Sequence, residues 1–167
     1  MMVSNATPLI YLAKAGQLGL LKRFGKVCIP EEVFTEVVVE GKRLGKKDAF
    51  LVEQAIKLGD IVVKKAKPLR LPIQLEAGET ATISLAKELG ALALIDESVG
   101  RAAAGLAGVE VRGTLYLLLK ALERKWIGLE EFLSALDKMV LEGFRLREEV
   151  YLEAVKIALE KSKKRGK

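Results

Sequence analysis

Several acidic side chains in this sequence could together bind a hard metal ion. Asp96 and Glu97 directly follow the apolar run 91–95, which predicts a strand buried on both faces. Ligand sites of open parallel sheets lie beyond the carboxyl ends of their strands. Two carboxylates ~4 Å apart repel by about 4 kcal/mol at an effective dielectric of about 20, so converging acids would share protons or bind a cation. Oxygen ligands favour Mg²⁺ or Mn²⁺, and such an ion can promote phosphodiester cleavage.

Glu79 is the second candidate ligand. In the predicted helix 75–89 it shares a face with Ile83 and Ala86, so its carboxylate lies beside the apolar stripe, where it is costly without a partner. The alternative interpretation is an ordinary acid in the first helical turn, which the helix dipole favours and water still reaches. The pattern leaves both interpretations open.

Glu36 is a weaker candidate when it is judged by pattern. It belongs with Glu32 and Glu40 to a row of acids at i, i+4 spacing, in which like charges repel. The row flanks the apolar residues of the predicted helix 30–40 without joining them. The pattern alone therefore favours a solvated helix face.

Asn5 ends the first predicted strand as Asp96 ends the fourth. If these two strands are neighbours, both side chains reach the same edge of the sheet, where Ser4 and Thr7 add hydroxyl groups. The amide of Asn5 can act as a weak metal ligand or donate a hydrogen bond. The alternative is a turn residue ahead of Pro8.

The composition narrows the chemistry further. The 167 residues contain no histidine and one cysteine, Cys28, whose apolar neighbours indicate a small buried hydrophobe. Serine–histidine and cysteine–histidine catalysis, imidazole zinc sites and an internal disulfide are thereby excluded. The net charge of +6 makes a nucleic acid a reasonable partner. No stretch is long enough to span a membrane and residues 1–10 do not resemble a signal peptide, which predicts a cytoplasmic protein.

Strands alternate with helices over residues 1–112, which predicts an α/β fold with a central parallel sheet. The predicted strands are 1–4, 26–29, 61–63, 91–95 and 109–111. The predicted helices are 9–15, 18–24, 30–40, 48–58, 75–89, 98–107, 113–124, 129–142 and 147–161. Two glycines and four basic residues predict a solvated loop over 41–47. We expect a single domain, 1–167, whose helical extension over about 129–167 packs on the sheet and ends in a basic tail.

Several motifs in this order resemble those of PIN-domain proteins, and in particular the prokaryotic PIN-like subfamily DUF3368. Five of them are VSNATPLIYLAK (3–14), IPEEV (29–33) with Glu36, GE (78–79) with Ala81 and Ile83, LIDE (94–97) with Arg101, and GTL (113–115). The stretch EGFRL (142–146) also resembles that subfamily. Each motif alone is short, and their order and spacing make the resemblance specific.

This resemblance implies a PIN-like fold with extra C-terminal helices and an Mg²⁺- or Mn²⁺-dependent ribonuclease related to the toxins of VapBC-type toxin–antitoxin pairs. It implies catalytic roles for Glu36, Glu79 and Asp96. The same three residues, with Asn5 and Glu97, would form the metal site. The implied partners are RNA, an antitoxin protein and a second copy of the chain in a homodimer.

Four further residues are expected to support the ligands or contact substrate. Ser4, Thr7 and Thr114 offer hydroxyl groups, and Arg101, five residues beyond Asp96, could pair with an acid or bind substrate phosphate. The simpler alternatives are a helix N-cap for Thr114 and an ordinary surface position for Arg101.

One position departs from the pattern of the PIN family, whose first acid is normally aspartate and is here Asn5. The loss of one negative charge should weaken metal binding. Two functional hypotheses follow: an active endoribonuclease, in the role of a toxin, or a catalytically silent PIN-like module that binds RNA or protein. A third is a small α/β protein whose acids only cap helices.

Overall fold

The computed structural model describes residues 1–164, and the end of the predicted basic tail, residues 165–167, lies outside them. The described strands are β1 (Met2–Ser4), β2 (Val27–Pro30), β3 (Ile61–Lys64), β4 (Leu92–Leu94) and β5 (Val111–Arg112). They form a sheet in the order β3-β2-β1-β4-β5, and every neighbouring pair is parallel. The predicted α/β fold with a parallel sheet is confirmed.

Helices connect the strands and follow the last one. Over residues 1–164 they are α1 (Ala6–Lys14), a 3₁₀ helix (Leu18–Phe24), α2 (Glu31–Phe34), a π-helical segment (Thr35–Glu40), α3 (Gly41–Arg43), α4 (Lys47–Lys57), α5 (Ala77–Leu89), α6 (Ser98–Leu106), α7 (Thr114–Glu123), α8 (Leu129–Leu141) and α9 (Glu148–Lys163). The predicted C-terminal helices are therefore present, and the predicted positions differ mainly at helix ends.

The start of α1 differs from the prediction. The helix begins at Ala6, three residues early, and Asn5 precedes it with an extended backbone of φ −77° and ψ 176°. Pro8 lies within the first turn, where a helix does not need the backbone N–H that proline lacks. The predicted turn ahead of Pro8 is therefore wrong, and Asn5 lies directly at the junction of β1 and α1.

The predicted loop 41–47 is also partly wrong, because its first three residues form α3. Gly41 keeps a right-handed helical backbone, with φ −60° and ψ −43°. A Cβ at Gly41 would lie 2.7 Å from the Cβ of Ala49 in α4. This glycine allows α3 and α4 to pack closely, and it does not interrupt the helical backbone.

Glu36 lies in the π-helical segment, a rare geometry that is frequently found at functional sites. Val37 and Val38, which follow it, are buried in the core, whereas Glu36 keeps an exposed position. The wide helical turn thus places buried valines beside a carboxylate at the end of the sheet.

The sheet separates two apolar clusters. Leu9, Leu117 and Phe132 belong to one cluster, so α1, α7 and α8 cover one face. Ile83 and Ala103 belong to the other, so α5 and α6 cover the opposite face. Burial of both faces accounts for the apolar strands.

Of the helices in the described part of the chain, none is long and apolar enough to span a membrane.

Candidate functional site

The register of β1 and β4 brings two of the predicted segments to one edge of the sheet. Ser4 pairs with Leu94, and the backbone N–H of Asn5 donates a hydrogen bond to the Leu94 carbonyl at 2.9 Å. In the first turn of α1, the Thr7 hydroxyl donates to Glu97 Oε1 at 2.5 Å. The predicted adjacency of the first and fourth strands is therefore confirmed.

A cavity of about 280 Å³ opens at this edge, and we call it the acidic cavity. Its polar lining residues are Asn5, Thr7, Glu36, Glu76, Glu79 and Glu97. Glu36 and Asn5 meet beside Gly78, where a Cβ would lie 3.2 Å from Glu36 Oε2 and 3.5 Å from Asn5 Oδ1. Because Gly78 has no side chain, space stays open between these two oxygens.

Both interpretations of Glu79 are in part correct: it is an acid of the first helical turn, and its carboxylate is partly buried. It lies in the first turn of α5, and it is half-buried. Its carboxylate approaches α6, where a Cβ on Gly100 would lie 2.6 Å from Glu79 Oε1 and 2.9 Å from Ile95 Cγ2. Gly100 therefore provides the space that the Glu79 carboxylate occupies.

Replacing Gly100 with alanine should displace the Glu79 carboxylate and destabilise the fold. Gly105 lies in the same helix, and a Cβ there meets nothing within 4 Å. Alanine is favoured over glycine in helices, so we expect Gly105→Ala to raise the free energy of unfolding by up to about 1 kcal/mol. We expect Gly100→Ala to lower it by about 1–3 kcal/mol, because the new methyl group overpacks against Ile95. Denaturant titration checks this, and equal stabilisation by both changes would contradict it.

Asp96 does not line the acidic cavity, and faces the neighbouring grooves instead. The backbone N–H of Thr114 donates to Asp96 Oδ1 at 2.8 Å, and the Thr114 hydroxyl donates to Oδ2 at 2.7 Å. A Cβ on Gly113 would lie 2.8 Å from Oδ1, so the glycine leaves room for this carboxylate. The capping position of α7 is Gly113, and the alternative of Thr114 as an N-cap is therefore wrong.

Glu97 links the acidic cavity to the Asp96 side. It lines the acidic cavity and also a second cavity of about 470 Å³ that Asp96 and Thr7 line. Burial raises the pKa of Glu36, Glu79 and Asp96, and the charge of Glu97 raises all three further. The hydrogen bonds from Thr114 oppose the increase at Asp96. The charge of Glu97 thus acts on Glu36, Glu79 and Asp96 alike.

Neutralising one of these acids should stabilise the metal-free protein. A pKa raised above the ordinary 4.5 of glutamate favours folding below that pH, and this contribution is lost as the pH rises through the raised value. Because Glu36 is exposed, water screens much of this repulsion, and at pH ~7 we expect Glu36→Gln to raise the free energy of unfolding by at most about 1 kcal/mol, or the Tm by about 1–3 °C. Thermal melts in EDTA measure this, with Glu32→Gln in α2 as the control that changes little. A lower Tm for Glu36→Gln would contradict the expectation.

The other predicted residues lie near this site in different roles. Ser4 is buried, and its hydroxyl donates to the Asn5 carbonyl at 2.9 Å. Arg101 is exposed on α6, with Nη1 3.7 Å from the position of a Gly113 Cβ, on the Asp96 side. The predicted ligands that share the acidic cavity are Asn5, Glu36, Glu79 and Glu97, with Asp96 in the adjoining grooves.

Glu76 lines the acidic cavity but is absent from the residues predicted from the sequence. It precedes α5 with an extended backbone of φ −64° and ψ 156°. Its charge raises the pKa of Glu36 and of Glu79. Its position three residues before Glu79, at the start of the helix, was the signal that could have indicated a place beside Glu79.

The side chains of the acidic cavity fit a hard divalent cation by their chemistry. The lining offers carboxylate and amide oxygens, which are the ligands that Mg²⁺ and Mn²⁺ prefer. Gly78 leaves the oxygens of Asn5 and Glu36 facing open space. Within residues 1–164, groups of three or more His, Cys, Asp or Glu side chains do not form a compact cluster.

Comparison with known proteins identifies the family. The sequence matches the family DUF3368, described as a PIN domain, over residues 1–160, and no curated protein matches it. A PilT N-terminus domain protein from the hyperthermophilic archaeon Sulfolobus solfataricus P2 is similar in structure, with a TM-score of 0.56, 21% identity, and coverage of 74% of this chain and 95% of that chain. A domain of a functionally unknown protein from Methanocaldococcus jannaschii DSM 2661 gives a TM-score of 0.45 and 16% identity, over 67% of this chain and 89% of that one.

PIN domains are generally nucleases, and they generally depend on divalent metals. The first structural likeness shows a shared fold, in agreement with the parallel sheet described above. The family match extends over nearly all of the sequence. The chain therefore belongs to the DUF3368 family of PIN domains.

Proposed function

We propose that this protein is an Mg²⁺- or Mn²⁺-dependent endoribonuclease. The observation that carries the proposal is the convergence of four carboxylates and one amide, from four separate segments of the chain, on the acidic cavity. Family membership supports nuclease chemistry, and the net charge of +6 supports a polyanionic substrate. A purely helix-capping role would not account for acids from separate segments around one cavity.

The residues of the cavity have distinct roles in this proposal. Glu36, Glu79, Glu97 and Asn5 hold the ion, which when bound supplies a water of lowered pKa and positive charge against the substrate phosphate. Glu36 Oε2 borders the open space at Gly78 and accepts the proton of the attacking water. In this proposal Asp96 is also a ligand of the ion. It is adjacent to Glu97 in the chain, and hydrogen bonds from Thr114 hold both of its oxygens in place.

A circular single-stranded RNA tests the proposal, because a circle has no end for an exonuclease. We expect linear products in Mn²⁺ or Mg²⁺ and intact circles in EDTA. Cleavage in this proposal needs both the ion and the acids that hold it. Because Asp96 belongs to the ligand set, we expect Asp96→Asn to cleave the circles far more slowly than the unaltered protein. Equal cleavage by Asp96→Asn and the unaltered protein would refute the assignment of Asp96.

A second candidate is a catalytically silent module that binds RNA or protein, and the amide at Asn5 favours it. Asn5 brings no charge to a position beside Glu36 Oε2, so the cavity has one carboxylate fewer than the family pattern implies. RNA binding without turnover in either metal would favour this candidate over the nuclease.

The resemblance to VapBC toxins extends the proposal to a cellular role. In that role the protein is a cytoplasmic homodimer that cleaves RNA and is inhibited by an antitoxin protein. Growth arrest on induced expression, relieved by Glu79→Gln, is the expected result. Unimpaired growth with active protein would contradict the toxin role and would leave the nuclease proposal intact.

A further inference from the structure

A third cavity, a groove, lies on the far side of Asp96 from the acidic cavity. It has a volume of about 360 Å³, and we call it the arginine groove. The side chains that define it are Asp96, Arg101, Arg112, Tyr116, Phe144 and Arg145. The three arginines come from α6, from β5 and from the segment between α8 and α9. Three distant segments thus deliver guanidinium groups to one place.

The arginine groove and the acidic cavity form parts of one continuous path. Asp96 and Arg145 line both the arginine groove and the cavity of about 470 Å³ next to it. Thr7 and Glu97 line that middle cavity and also the acidic cavity. A chain that crosses the acidic cavity can therefore continue past Asp96 into the arginine groove.

The charges along this path suit a phosphodiester chain. Arg112 is already paired with Glu110 at 3.1 Å. Arg101 and Arg145 have no carboxylate partner at ion-pair distance among residues 1–164. The charge of Arg101 lowers the pKa of Asp96, but no carboxylate of the described residues holds either guanidinium at ion-pair distance. Both groups can therefore bind a phosphate, for which their planar fork is well matched.

Tyr116 supplies an aromatic surface in the same groove. Its side chain is 37% exposed, and the guanidinium of Arg112 lies 5.2 Å from the ring centroid. An exposed ring backed by an arginine offers a nucleobase a stacking partner, and only a base that has left a duplex can reach it.

We propose that the arginine groove binds the nucleotide next to the scissile phosphate of a single-stranded RNA, with Arg101 and Arg145 on its phosphates and Tyr116 against its base. This inference rests on the proposed nuclease function, because it names the subsite that positions the substrate of that site. Arg145 is a positioning residue here, carried by the EGFRL segment, whose function was not apparent from the sequence.

Fluorescence anisotropy with a labelled single-stranded RNA in Ca²⁺ buffer tests the groove separately from cleavage. We expect Arg145→Gln to weaken binding about tenfold and to lower the salt dependence of log Kd by about one unit of slope. Arg145→Lys should recover part of the loss. Arg147→Gln is the matched control, because Arg147 is an exposed arginine two residues away that does not line the groove.

Tyr116 gives the second arm of this experiment. Tyr116→Ala should weaken the binding of single-stranded RNA about tenfold, whereas Tyr116→Phe, which keeps the ring, should retain it. The two variants should bind duplex RNA with equal affinity. Thermal melts establish that each variant is folded.

Three outcomes would overturn the groove: no RNA binding by the unaltered protein, equal affinities for Arg145→Gln and Arg147→Gln, or equal loss for duplex and single-stranded RNA with Tyr116→Ala. If Arg145→Gln weakens binding but no RNA is cleaved in any metal, the groove stands and the nuclease function fails. If RNA is cleaved but Arg145→Gln binds as Arg147→Gln does, the nuclease function stands and the groove fails.

Discussion

Replacing Glu79 with glutamine is expected to lower the rate of Mn²⁺-dependent RNA cleavage by about 100-fold or more, because the lost carboxylate would hold the ion whose positive charge stabilises the phosphate in the transition state. The change keeps the shape of the side chain and removes its charge. Glu79 Oε1 occupies the space that Gly100 leaves free, so glutamine should fit there without disturbing Ile95. Single-turnover cleavage of a labelled RNA measures the effect.

Glu88→Gln is the matched control for this prediction. Glu88 lies in the same helix, is exposed, and pairs with Lys67 at 3.2 Å, away from the acidic cavity. Its removal takes the same charge from α5 and should leave cleavage within about twofold, because exposed ion pairs contribute little. Similar rates for Glu79→Gln and Glu88→Gln would remove Glu79 from the site.

Restoring the acid of the family pattern, by Asn5→Asp, is expected to act in opposite directions with and without metal. In EDTA the new carboxylate would repel Glu36, whose Oε2 lies near the same point beside Gly78. The free energy of unfolding should fall by about 1–4 kcal/mol, depending on how far water screens the pair. In Mn²⁺ the extra charge should tighten metal binding by about tenfold or more. Thermal melts over a Mn²⁺ titration show both effects.

Gln54→Glu controls for the added charge alone. Gln54 is exposed on α4 and does not line the acidic cavity, so its replacement should change neither the melt in EDTA nor the response to Mn²⁺. An Asn5→Asp variant that behaves like Gln54→Glu would show that Asn5 does not face a metal site. A gain of RNA cleavage by Asn5→Asp alone would favour the silent-module hypothesis for the natural sequence.

Most of the sheet could be predicted because its strands are short apolar runs between clear helix patterns. The run 91–95 indicated a buried strand, and β4 lies within it. The wrong predictions concern residue types that occur both in turns and within helices. In the sequence, Gly41 indicated the start of a loop. In the structure it has a helical backbone and packs closely against Ala49. Asn5 and Pro8 together suggested a turn ahead of the helix, whereas α1 begins at Ala6 and has Pro8 in its first turn.

The candidate site was less accessible to sequence patterns than the fold. Glu36 follows a helical period that indicates a solvated face, and the π-helical segment that carries it cannot be read from that period. Glu76 falls within the predicted helix 75–89, whereas in the structure it precedes α5 with an extended backbone, so the helical pattern did not indicate its place in the acidic cavity. Asp96 lies outside the acidic cavity and accepts two hydrogen bonds from Thr114, a contact across eighteen residues that no local pattern indicates.

The central claim is that separate acidic segments form one oxygen-lined site for a hard divalent cation. Anomalous diffraction from crystals soaked in Mn²⁺ tests it most directly. We expect a Mn²⁺ peak within the cavity lined by Asn5, Glu36, Glu79 and Glu97. A peak only elsewhere on the molecule, or none at millimolar Mn²⁺, would contradict it.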